Sequence, residues 1–140
     1  MKYKFEKIDN DITKLIYKDK EFEIKRDIDL IKNTQGLYLK ARTKMMVDLS
    51  KQGITKKDLI IEKKENGKTY LDNSNITELE KNYTEMAFLE LFDDISIKYT
   101  KMNFTELMED IGLTNNESEK FGLDFSEAIQ GKTKTPSEKE

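Results

Sequence analysis

Glu90, Asp93 and Asp94 are the side chains of this sequence best spaced to do chemistry. On a helix, Glu90 stands three residues before Asp93 and four before Asp94, so the three carboxylates share one turn. Such a group can bind a hard divalent cation through oxygen. Two features weigh against that reading. Adjacent helical residues point about 100° apart. The chain also has neither an EF-hand loop nor a second helix with matching carboxylates. A solvated acidic face is the plainer expectation, and no metal is expected.

A second candidate is Glu65-Asn66-Gly67-Lys68-Thr69. A phosphate loop needs G-x-x-x-x-G-K-[ST], so that successive amides wrap the phosphates. Only Gly67-Lys68-Thr69 is present. The same triplet recurs at Gly131 to Thr133 with no strand before it. Both read as turn or linker chemistry, and no cofactor is expected.

Histidine and cysteine are absent. That removes thiol nucleophiles, disulfides, the usual zinc sites and histidine-dependent triads. An enzyme would have to rest on carboxylates and lysines, as glycosidases do, and no catalytic residue is expected. The formal net charge is −3, from 25 basic and 28 acidic residues well mixed along the chain. A nucleic-acid partner needs a basic excess, so none is expected. No apolar run approaches the ~18 residues of a membrane span. The start, MKYKFEKIDND, lacks the apolar core of a secretory signal. A cytoplasmic protein fits the lack of disulfides.

The elements that must position these residues read as an α+β domain. The expectation is a small N-terminal antiparallel sheet packed on a mainly helical body. Residues 3–8, 12–17 and 21–26 look like short strands. The last alternates cleanly, with Phe22 and Ile24 opposite Glu21, Glu23 and Lys25. Lys18 to Lys20 make a hairpin turn. A helix over 29–52 follows, with Asp27 or Asp29 as its cap and a stripe of Leu30, Thr34, Leu37, Ala41, Met45 and Leu49. Gly36 inside it marks a close backbone approach, a bend or, more plainly, a tolerated weak spot, and Gly53 ends it. Thr55 can cap a short turn. Asn66-Gly67 predicts a hairpin with short, charged arms, the alternative being a disordered loop between two helices.

The longest element is a helix over Asn75–Tyr99, with Asn75 and Glu78 as its capping box. Ile76, Leu79, Tyr83, Met86, Ala87, Leu91, Ile95 and Tyr99 form one stripe, and Phe88 and Phe92 widen it. It should be mostly buried. Asn103 with Glu106 caps a helix stopped at Gly112. Asn115 and Asn116 fall in a linker. A last helix covers Glu117 to Ile129, with Phe121, Phe125, Ala128 and Ile129 as its apolar positions. One domain spans 1–130, and 131–140 is a disordered polar tail.

In pattern the chain resembles the tail assembly chaperones of long-tailed phages and prophages of Gram-positive bacteria. The likeness covers roughly residues 15–135. It rests on EFEIKRDIDLIKNTQ running into a helix, the turn KQGITKKDL, the central acidic helix and the closing GLDFSEAIQGKTKTPSEKE. The resemblance implies a non-enzymatic protein of virion morphogenesis in the host bacterial cytoplasm. Its partners would be the tape-measure protein and tail tube protein. Self-association stays open. Phe88, Phe92, Phe121 and Phe125 are the expected protein-binding residues, because they exceed what one stripe needs. The competing class is a small phage or mobile-element effector that inhibits a host protein. It would bind one folded target at fixed stoichiometry, whereas a chaperone would line several copies along an elongated one.

Overall fold

Alternation of apolar and charged residues folds the N-terminal segment into a meander in the computed structural model, which describes residues 1–133. Strands β1 (Lys4–Lys7), β2 (Ile12–Tyr17) and β3 (Lys20–Lys25) pair antiparallel in the order β1-β2-β3. Phe5, Leu15 and Phe22 align across the three strands. The period of two turns Phe5, Thr13, Leu15, Tyr17 and Ile24 inward and Lys4, Glu21, Glu23 and Lys25 to solvent. Lys18, at φ 49°, opens the β2–β3 turn.

The described residues form two compact units. One holds Met1–Gln35 and the chain from Glu90 onward; the other is Gly36–Leu89. The whole is an α+β fold with a three-stranded sheet, a two-stranded sheet and helices α1 (Ile28–Gln35), α2 (Leu37–Lys51), α3 (Ser74–Thr100), α4 (Phe104–Ile111) and α5 (Asn115–Ile129).

In the first unit, α1 starts where Asp27 Oδ1 accepts the Leu30 amide at 2.8 Å. Rings of Tyr3, Phe5, Phe92, Phe104, Phe121 and Phe125 fill its core. Their centroids lie between 4.9 Å (Tyr3–Phe121) and 6.3 Å (Phe5–Phe125), the range in which tilted and edge-on aromatic pairs gain most. Helix α4 carries the expected box. Asn103 Oδ1 accepts the Glu106 amide at 2.8 Å, and Glu106 Oε1 accepts the Asn103 amide at 3.1 Å. It stops at Gly112, whose φ of 85° is a conformation that side chains with a Cβ avoid. Asn115 and Asn116 are helical rather than linker. Thr114 takes the cap one turn earlier, with Glu117 as its partner.

In the second unit, α2 buries Leu37, Ala41, Met45 and Leu49. The single helix expected over 29–52 is two. The break falls at Gly36, where the backbone takes φ −81°, ψ 0° and where glycine is the weakest helix former in the stretch. Ile54 donates back to the Leu49 carbonyl at 2.9 Å, which closes α2. A 3-10 turn over Lys56–Leu59 follows, where Asp58 Oδ2 accepts the Thr55 amide at 2.8 Å. Strands β4 (Ile61–Glu65) and β5 (Lys68–Asp72) form the expected hairpin. Asn66 and Gly67 both take positive φ, 53° and 76°, as a type I′ turn requires. Every residue of the two strands is exposed except Asp72.

Helix α3 departs from expectation in two ways. It begins at Ser74, so Asn75 lies inside it. The end is closed by Asp72, whose Oδ1 accepts the Ser74 amide at 2.8 Å. Nor is α3 mostly buried: Met86, Leu89 and Ile97 stand exposed. The tail expected over 131–140 lies, from residue 134 on, outside the described residues. Within them Thr133 is buried.

Candidate interaction surface

In the acidic turn of Glu90, Asp93 and Asp94, Asp93 is structural. Asp93 Oδ1 accepts the Phe104 amide at 2.9 Å, satisfying an orphan donor at the start of α4. Glu90 and Asp94 are exposed. Among the described residues no group of His, Cys, Asp or Glu could hold a metal ion. Gly67-Lys68-Thr69 belongs to the hairpin. No helix among the described residues is long and apolar enough to cross a membrane.

Several other polar and ionisable groups of the first unit fasten helices to the N-terminal segment. The Tyr17 hydroxyl donates to Asp110 Oδ2 at 2.7 Å, and Lys20 reaches the same oxygen at 2.6 Å. Burial, then that hydrogen bond, pushes the Tyr17 hydroxyl well above its ordinary value. Lys20, then Tyr17, holds the Asp110 carboxyl low. Lys18 and Lys2 cap the C-terminal end of α4 on the carbonyls of Asp110 and Gly112, where a cation meets the negative end of the helix dipole. Tyr3 repeats the device, donating to Asp124 at 2.7 Å. Burial first, then Asp124, raises its pKa.

Lys2 also meets Glu117 at 2.8 Å. Lys2 first, then the Thr114 amide, lowers the Glu117 pKa from 4.5 to about 2. A carboxyl depressed on folding stabilises above its unfolded value and loses that contribution as pH falls through the folded one. Stability should therefore decline between pH 4.5 and about 2, with Asp27, Asp72 and Asp110 acting in the same direction. Urea midpoints at pH 5 and pH 2.5 should show it. Lys2→Ala should shrink the difference, and added salt should shrink it too, because these pairs face water.

The four expected contact residues divide. Phe121 and Phe125 are enclosed, at 0% and 1% exposure, and Phe92 is buried with them. Side chains so enclosed offer little or no surface to a partner while their unit stays folded. These three are core residues. The excess over one helical stripe is explained by rings of β1, α3, α4 and α5 that pack on one another. Phe88 differs. It lies half-buried in the second unit, edge-on to Tyr38 at 6.0 Å.

Tyr38 is 65% exposed and Leu39 beside it is exposed as well. An aromatic ring held at the surface by another ring, next to an exposed aliphatic side chain, can anchor a protein contact. It is the apolar feature of this unit best built for one.

Comparison with protein-family models, curated proteins and solved structures finds no match.

Further along α2, Leu39, Thr43, Met46, Val47 and Ser50 recur at i, i+4, i+7, i+8 and i+11, opposite the buried stripe, and all five are exposed. The helix has apolar side chains on two faces. That pattern was present in LYLKARTKMMVDLSK but was hidden by the stronger spacing of Leu37, Ala41, Met45 and Leu49.

Proposed function

We propose that this protein is a non-enzymatic tail assembly chaperone, binding tape-measure protein and tail tube subunits in the host bacterial cytoplasm. The exposed Tyr38, seated on Phe88 with Leu39 at its side, is the observation that carries the reading. Amphipathic helices dock by apolar anchors one turn apart, and a long helical partner would offer many. The pattern over residues 15–135 supplies the partner class. The surface ionisable groups fit this reading, since those of the first unit tie α4 and α5 to the sheet.

The test is co-expression with each long helical protein and each tube protein encoded beside this gene, followed by pull-down. Several copies of this chain on one tape-measure protein are expected. Tyr38→Ala should weaken capture roughly tenfold or more, as loss of an aromatic anchor does, with folding unchanged because the ring is exposed. Failure with every structural neighbour, with capture of one host protein at fixed stoichiometry, would replace the reading with a host-directed inhibitor.

A further inference from the structure

Two exposed helical faces of the second unit carry opposite charge and the same spacing. On α2 the exposed face has Met46 at 43% and Val47 at 45% exposure. A shallow groove of about 480 Å³, lined by Arg42, Met46, Val47 and Lys51 among others, lies over it. A second groove of about 690 Å³ shares Met46 and Ser50 and runs past Ile54 to Lys56 and Lys57. The floor is apolar and the rim is basic. Residues 40–57 carry Lys40, Arg42, Lys44, Lys51, Lys56 and Lys57 against one acid, Asp48. Asp48 is engaged elsewhere, accepting the Tyr83 hydroxyl at 2.7 Å.

The first half of α3 has the counterpart. Glu78, Asn82, Glu85, Met86 and Leu89 follow the same i, i+4, i+7, i+8, i+11 pattern, and all are exposed. Here apolar side chains lie beside acids. Lys56 meets Glu80 within the chain at 3.9 Å. Among the described residues no ion pair engages Arg42, Lys51, Glu78 or Glu85. We infer that the α2 groove of one copy receives the acidic face of α3 from a second copy. Met86 and Leu89 enter the apolar floor, while Glu78 and Glu85 meet Arg42 and Lys51. Long cationic side chains can lie along apolar surface and still reach an acid, so mixed faces of this kind are compatible. The floor of Met46, Val47 and Ile54 favours a helix over a nucleic acid, which would want phosphate contacts throughout.

Each copy uses a different face for each neighbour. Such a contact is heterologous, so it grows into a ring or an open chain rather than stopping at a dimer. This goes beyond the chaperone reading and is measured on the isolated protein. Its failure would leave the Tyr38 contact untouched.

Sedimentation velocity over a concentration series is the experiment. The wild type should grow past the dimer as concentration rises, and should shrink with added salt, which screens exposed charges beyond ~10 Å at 0.1 M. Arg42→Glu/Lys51→Glu alone should be monomeric, because an acid then stands at each position that Glu78 and Glu85 would meet. Glu78→Lys/Glu85→Lys alone should be monomeric for the converse reason. Mixing the two should restore assembly. Thermal melts of both variants should match the wild type, since all four side chains are exposed. A wild type that stays monomeric at every concentration, variants that assemble as it does, or a mixture that remains monomeric would each overturn the inference.

Discussion

Phe121→Ala should cost about 3–5 kcal/mol of stability, the range for truncating a fully buried aromatic side chain. Phe121 has no exposed surface and faces Tyr3, Phe5, Phe104 and Phe125, with centroids at 4.9, 5.6, 5.5 and 5.9 Å. Its removal leaves a void shared by β1, α4 and α5, whose backbones are fixed by their own hydrogen bonds and cannot collapse into it. The mutant should unfold at a much lower denaturant midpoint, with near-UV circular dichroism of the tyrosines lost early, because Tyr3 packs directly on the missing ring. A loss under about 1 kcal/mol would mean that the ring cluster is not the core.

Leu15→Ala and Ile16→Ala should differ sharply although the residues are neighbours. Leu15 is fully buried at the centre of the middle strand, between Phe5 and Phe22 in register. Its truncation should cost about 2–5 kcal/mol. Ile16 points to the opposite face, between Lys4 and Glu21, and is only half-buried. Its truncation should cost about 1 kcal/mol, from the part of its side chain that leaves water. Urea unfolding of the two variants side by side gives the comparison. A larger loss at Ile16 than at Leu15 would show that the register of β2 is displaced by one residue, since such a slip exchanges the two faces.

Legibility in the sequence followed the range of the interaction. The alternation over 12–25, the Asn103–Glu106 box, the Asn66-Gly67 turn and the Leu37-Ala41-Met45-Leu49 stripe involve residues a few positions apart, and each was readable. The misreadings came from competition or distance. Asn75 has good cap chemistry, but Asp72 sits nearer the hairpin and takes the Ser74 amide first. Asn115 and Asn116 look like loop residues until Thr114 claims the cap. Gly36 was read as a tolerated flaw, whereas it divides two helices. The site was the hardest part. Asp93 reads as part of a solvated acidic face because its partner, the Phe104 amide, lies beyond the end of its own helix. Phe92, Phe121 and Phe125 looked surplus because each finds its neighbours on other elements.

The first unit is assembled from the two ends of the chain, with residues 36–89 between them. That has a consequence for the protein while it is being made. The ribosome delivers β1 to β3 early, with Phe5, Leu15 and Ile24 bare, long before Phe104, Phe121 and Phe125 exist to cover them. The second unit is continuous and can close as soon as α3 has emerged. The sheet is thus made well before the helices that bury it, and until they emerge the nascent chain presents an uncovered apolar surface. Translation proceeds at roughly 5–20 residues per second, so that exposure lasts for seconds, a window in which a trigger-type holding factor or a neighbouring nascent chain can engage it.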